Sequence, residues 1–268
     1  MRVATVERFC CRLPLTERQD RILPPGAFRD IVVVHLCKVT LDDSRSTVGW
    51  GEATQKGASD AQVARVIGKS PALLMHDDSI SIGLQMALFD ALGKALGVPC
   101  HALLGTQCRN ATPISWWVQS ASPVDWAAEC VDAVAAGYTT CKLKARPWWD
   151  VVEQVRAVSE AVPPGFHLDL DFNETLQNAA VATLVIQKLE QFENVAFIES
   201  PIPQTDAAGN AALRRAVRKP LAGHFGRPPH ATVVQEGVFD AYVIGGGKSA
   251  IVRAAALAAD AGMPSELV

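Results

Sequence analysis

Four polar positions recur in this chain at nearly constant spacing. Lys144 in CKLKA, Asp171 in FHLDLDFN, Glu199 in VAFIESP and His224 in PLAGHF follow one another at intervals of 27, 28 and 25 residues. Each stands near the end of a short apolar run. One strand-plus-helix unit takes about 30 residues, so a polar group recurs once per unit at the same place. In a parallel βα barrel those places lie on the C-terminal face of the sheet, where active sites form. Within FHLDLDFN, Asp169, Asp171 and Asn173 alternate with Leu168, Leu170 and Phe172. A period of two is strand geometry and puts the three polar residues on one face.

The rest of the chain fits an α/β protein of two domains, residues 1–110 and 111–268. Residues 1–55 read as antiparallel strands at Arg2–Cys11, Asp30–Leu41 and Thr47–Ala53. Between the first two lies Leu13–Arg29, polar and containing Pro24-Pro25-Gly26, which suits an exposed loop long enough to act as a lid. Residues 59–97 read as helical, with Ser79 as a cap, Met86, Phe89 and Leu96 in the core, and a stop at Gly97 and Pro99. The boundary falls in Pro99–Pro113. From Ile114 onward strand and helix alternate through six units, and MPSELV begins a seventh. On that count the second domain is a (β/α) barrel truncated after its sixth unit. Strands Ile114–Val118 and Tyr242–Gly246 are then each expected to lack a neighbour, and such open edges invite homo-oligomer formation.

A doubly wound sheet would instead carry a glycine-rich phosphate loop after its first strand, and QSASPVD after ISWWV is not one. GGGKS (245–249) has the glycines, Lys and Ser of a P-loop, but Tyr242 stands where that pattern needs a glycine. It reads as a turn that lets a helix N-terminus approach a ligand. The net charge of −3 gives no general attraction to nucleic acid. No apolar run approaches membrane-spanning length and the first residues are broken by charge, so neither a membrane nor a signal peptide is expected, and the cytoplasm is. Seven cysteines without CxxC spacing read as reduced, mostly buried thiols.

Asp171 and Glu199, at the ends of adjacent strands, offer hard oxygen ligands of the kind Mg²⁺ takes. Taken alone, each reads sooner as an ordinary surface or capping acid; the series in register favours a metal. Lys142 and Lys144 flank Leu143 and point the same way. Beside a metal and a second ammonium group, a lysine has its pKa lowered and can serve as a base. The alternative is a pair of solvated strand lysines.

KLK, DFN and IESP on successive strands resemble the enolase superfamily, and most closely its mandelate racemase and muconate lactonising branch. GWGEA (49–53) and ALFDALGKALGVPCHALLG (87–105) are similar to that branch's capping domain. The resemblance implies a capping domain with a (β/α)₇β barrel and Mg²⁺ on three carboxylates. It implies an enzyme that abstracts a proton α to a carboxylate of a small organic acid and stabilises the enediolate. Lys144 would be the base, Lys142 its electrostatic helper, and Asp171 and Glu199 metal ligands. Asn173 would support a ligand or touch the substrate. Leu13–Arg29 and the Gln55–Ser59 turn would form the lid. Three departures stand out. Where the family has a third acid, this chain has His224, either a metal ligand that tilts the site toward Mn²⁺ or Zn²⁺ or a core or substrate-facing residue. AYVIGGG lacks the lysine of a second base, although Asp240 is near. The seventh-strand His of racemases and dehydratases is missing. Elimination and cycloisomerisation, which need one base, therefore rank above two-base epimerisation. The competing reading is a carboxylate-binding or scaffold relative without catalysis.

Overall fold

In the computed structural model, which describes residues 1–23, 32–54 and 56–267, the chain divides into two compact units. One is Met1–Asn110 with Gly246–Arg253; the other is Ala111–Gly245 with Ala254–Val268. In the first, β1 (Val3–Arg12), β2 (Val33–Leu41) and β3 (Val48–Thr54) pair antiparallel in that order. The middle of Leu13–Arg29 is not loop but helix α1 (Glu17–Ile22). Its cause is local: the Thr16 hydroxyl accepts from the Gln19 amide, and the Gln19 side chain accepts from the Thr16 amide. Residues 24–29 of the expected lid, the Asp30 strand start and Gln55 of the neighbouring turn lie outside the described residues.

Helix α2 (Asp60–Val66) carries the same reciprocal cap through Ser59 and Gln62. Helix α3 (Ile82–Leu96) starts at Ser81, whose hydroxyl accepts from the Leu84 amide. The expected cap, Ser79, is engaged earlier by Asp77 and Arg65. α3 buries Leu84, Ala87, Leu88, Ala91 and Leu92 in one core with Cys37, Val39 and Leu41 of β2. Phe89 joins that core, Met86 is half-buried, and Leu96 in the last turn is exposed rather than buried.

The glycines of GWGEA bring strand and helix together. A Cβ on Gly49 would overlap the Ala87 carbonyl oxygen, and one on Gly51 the Gly83 carbonyl oxygen. Gly51→Ala is therefore expected to destabilise the protein by about 1–3 kcal/mol through overpacking. Urea unfolding measures it; an unchanged midpoint would mean that α3 shifts without cost.

In the second unit, β4 (Trp116–Val118), β5 (Thr140–Lys144), β6 (His167–Asp171), β7 (Val195–Glu199), β8 (Leu221–His224), β9 (Ala241–Ile244) and β10 (Ser265–Leu267) form one parallel sheet in chain order. The crossovers hold α4 (Pro123–Ala135), α5 (Val151–Ala161), α6 (Ala179–Leu189), α7 (Ala207–Ala216), α8 (His230–Glu236) and α9 (Lys248–Asp260), whose residues up to Arg253 are counted with the first unit. Leu143, Leu168 and Leu170, which alternate with the lysines and acids, are fully buried. Such two-sided burial is what a helix-covered parallel sheet requires.

The sheet is strongly curled. Five strand spacings separate β5 from β10, about 24 Å if flat at 4.8 Å each. Yet Lys142 Nζ on β5 lies 2.7 Å from Glu266 Oε1 on β10. The second expected open edge is not where the sequence put it. MPSELV supplies β10, which pairs with β9 through Ser265–Tyr242, Glu266–Val243 and Leu267–Ile244. Among the described residues the sheet ends at β4 and β10.

GGGKS leads into α9, with Lys248 and Ser249 as the first helical residues. The amides of Ser249 and Ala250 donate to the Asp78 carboxylate at 3.1 and 2.8 Å, and the Lys248 amide donates to Gln85 at 3.1 Å. Gly247 leaves room for Asp78, which a Cβ would overlap. The group this helix N-terminus meets is thus a carboxylate of the chain itself. All seven cysteines are free; Cys37, Cys130 and Cys141 are buried, but Cys10, Cys11, Cys100 and Cys108 are exposed, contrary to the sequence expectation. Cys10 and Cys11 lie on the edge strand β1, which explains their exposure. No helix among the described residues is long and apolar enough to cross a membrane.

Candidate active site

The register of β5, β6 and β7 sets Lys142 beside Asp169, Lys144 beside Asp171, and Asp171 beside Glu199. Lys144, Asp171, Glu199 and His224 are each the last residue of their strands. Asp171 and Glu199 are buried, at 0% and 1% exposure. The Lys144 ammonium donates to Asp171 Oδ2. Asp171 also accepts from the Asn173 backbone amide at 2.8 Å and from the Asn173 side-chain amide at 3.0 Å. Asn173 does not continue the strand: β6 ends at Asp171, and Asn173 has a left-handed φ of 43°. Arg146 donates to Asn173 Oδ1, so Arg146 and Asn173 together hold the Asp171 carboxylate in place.

Lys142 stands among three carboxylates. Its ammonium donates to Glu199 and, at 2.7 Å, to Glu266, and lies 3.5 Å from Asp169. Burial works against its charge, but the fields of Asp169, Glu199 and Glu266 outweigh burial and raise its pKa. Lys142 is therefore held in its charged form. For Glu199 burial again acts upward, but a hydrogen bond from His224 and the Lys142 charge take its pKa down to about 2. Asp169 goes the other way: burial, helped by Glu266, Glu199 and Asp171, overcomes Lys142 and pushes it well above the carboxylate range. Burial likewise raises Glu266 against the pull of Lys142.

His224 Nε2 lies 3.3 Å from Glu199 Oε1, and the His224 amide donates to Gln204 Oε1 at 2.6 Å. Asp240 is not part of this group. It precedes β9, at the N-terminal end of the strand, where it accepts from Arg214 Nε at 2.7 Å and from the Leu221 amide at 2.9 Å. The strand starts one residue later than Asp240, so its carboxylate serves the opposite end of the sheet.

Two acids not singled out from the sequence as ligands belong to the cluster. Asp169 shares the alternation with Asp171, which was the available signal. Glu266 is the acid of MPSELV, at the equivalent place in the seventh unit. One oxygen each from Asp169, Glu199 and Glu266 lie within 4.8 Å of one another. Four carboxyl groups here face two ammonium groups. Both oxygens of Asp169 are buried without a hydrogen-bond donor. Such a set of hard oxygen donors, two buried and one half-buried, fits Mg²⁺ or Mn²⁺.

Residues 125–267, more than half of the chain, match the family described as Enolase C-terminal domain-like, and the chain belongs to that family. It is similar to the D-galactonate dehydratase of Verminephrobacter eiseniae, with 27% identity over 214 residues, 68% of this chain and 56% of that protein. It is also similar to the N-succinyl-L-Arg/Lys racemase of Bacillus cereus, with 23% identity over 250 residues, 82% of this chain and 65% of that protein. The chain thus spans between half and two-thirds of the length of these curated relatives. In fold it matches the solved structure of that racemase at a TM-score of 0.76, with 22% identity, over 100% of this chain and 79% of the other. The L-Ala-D/L-Glu epimerase of Bacillus subtilis matches at a TM-score of 0.78, with 21% identity, over 100% and 82%. These likenesses establish the fold: an α+β unit followed by a parallel (β/α) barrel sheet.

Proposed function

We propose that the protein is a metal-dependent lyase or isomerase that removes a proton α to the carboxylate of a small organic acid. The observation that carries this reading is Lys144, held by a buried Asp171 at a strand end, with the fixed cation Lys142 two residues away on the same face. Lys144, as the neutral amine, takes the α-proton at Nζ and becomes the ammonium group that Asp171 pairs with. Asp171, itself fixed by Asn173 and Arg146, aims that nitrogen. Lys142 remains charged and stabilises negative charge that develops on the substrate. Glu199 is the carboxylate around which a divalent cation would bind, with Asp171 and His224 as the further donors nominated by the strand-end series. When bound, that cation supplies positive charge against the substrate carboxylate. Mg²⁺ suits the acids, and the imidazole of His224 would favour Mn²⁺. The relatives named as a dehydratase, a racemase and an epimerase support the shared step, α-proton abstraction, without choosing among elimination, cycloisomerisation and epimerisation.

The test is ¹H NMR in deuterated buffer with Mg²⁺ or Mn²⁺, using aldonates and N-acylated amino acids as small carboxylates. Loss of the α-proton signal in at least one class is expected. No exchange in any class would favour carboxylate binding without catalysis.

A further inference from the structure

The cation's ligands need not be the residues that the strand-end series nominates. Asp171 already accepts three hydrogen bonds, from Lys144 and from both amide groups of Asn173. His224 directs Nε2 at Glu199 Oε1. Asp169 is different: it is 5% exposed, and neither of its oxygens receives a hydrogen bond. Its nearest cation is Lys142, at 3.5 Å. A buried carboxylate in that condition is costly unless a charge meets it. Glu266 comes to the same place from β10, across the curled sheet.

We infer that the divalent cation is held by Asp169, Glu199 and Glu266, with Glu266 supplying the acid that β8 lacks at His224. The assignment rests on the proposed function for the need of a cation, and on geometry for its place. Oxygens around an octahedral Mg²⁺ at about 2.1 Å stand about 3 Å apart when adjacent and about 4.2 Å apart when opposite. The three carboxylates already offer oxygens within 4.8 Å. Rotation of the Glu266 side chain, 29% exposed on a three-residue edge strand, closes the remainder. Among the described residues this is the one group of three donor side chains that converges so closely. Lys142 is the competitor. Its ammonium lies between the same carboxylates, and its flexible stem lets it swing aside when a doubly charged ion takes them. His224 then keeps a positioning role, holding the second oxygen of Glu199.

Mn²⁺ binding to the full chain, read from the electron paramagnetic resonance signal of the free ion, tests this. The variants are Glu266→Gln, Asp169→Asn, His224→Ala and Lys142→Met. Loss of an outer contact to a ligand costs about tenfold in affinity or somewhat more, and that is the expectation for His224→Ala. Glu266→Gln and Asp169→Asn are expected to lose more, because each removes a charged ligand. Lys142→Met should bind Mn²⁺ more tightly than the parent and gain more in melting temperature from it, a second reading independent of the acid variants. The inference is overturned if Glu266→Gln binds like the parent, if His224→Ala costs more than Glu266→Gln, or if the parent binds no Mn²⁺ at millimolar concentration. Parent-like binding in Glu266→Gln, with α-proton exchange intact, sinks the ligand assignment and leaves the proposed reaction standing. Binding that depends on Glu266, with no exchange in any carboxylate, does the reverse.

Discussion

Lys144→Ala is expected to give a folded protein that has lost α-proton exchange while still binding carboxylates. A positioned general base contributes about 10²–10⁴-fold, so the loss should take exchange to the background rate. The side chain stands at the end of β5 and meets Asp171 directly, so its removal takes the base without moving the strand. Folding is protected because Asp171 keeps two amide donors from Asn173. Carboxylate binding should persist, because Lys142 and the acid cluster are untouched. Exchange of the α-proton into deuterated buffer, followed by ¹H NMR beside a binding titration of the same acid, separates the two effects. Undiminished exchange would place the base elsewhere, and loss of both exchange and binding would make Lys144 a binding group.

Much of this site could be read from the sequence because its parts repeat at the period of the fold. One polar residue per βα unit fixes the level of Lys144, Asp171, Glu199 and His224 along the sheet, whatever the details of each helix. Errors arose where one residue of register decides the outcome. Asp240 lies one position before β9 begins, and that position belongs to the other end of the barrel. Ser79 and Ser81 are equally good caps by type; Asp77 and Arg65 decide between them. Glu266 was hidden for another reason. Its contact with Lys142 joins residues 124 apart in the chain and exists only because the sheet curls, a property of strand packing that no local pattern encodes. The helix in the expected lid was legible in principle, since Thr16 and Gln19 have capping-box spacing. The two prolines and the glycine that follow drew the segment toward loop.

Lys142→Met is expected to destabilise the metal-free protein by about 3–5 kcal/mol, the usual cost of leaving a buried charge without its partner. Glu199 is 1% exposed and the Lys142 side chain 10%, so water cannot replace the lost ammonium. Pairing the variant with Glu199→Gln tests whether the two residues act together: the double variant should cost less than the sum of the singles, by about 1–3 kcal/mol. The loss should also depend on pH. Asp169 and Glu266 have pKa values raised in the folded protein, by burial before all else, even with Lys142 present. Without Lys142 they rise further. A carboxylate whose folded pKa exceeds its unfolded value binds more protons when folded, so stability falls as pH rises between the two values. The penalty of Lys142→Met is therefore expected to be smaller near pH 5, where Asp169 and Glu266 can hold protons, and larger near pH 8, where they must be charged. Urea unfolding of parent, singles and double at both pH values, with a chelator present, reads every term. An equal penalty at the two pH values would mean that Lys142 stabilises the fold through packing of its stem, and that the three carboxylates are balanced by something else.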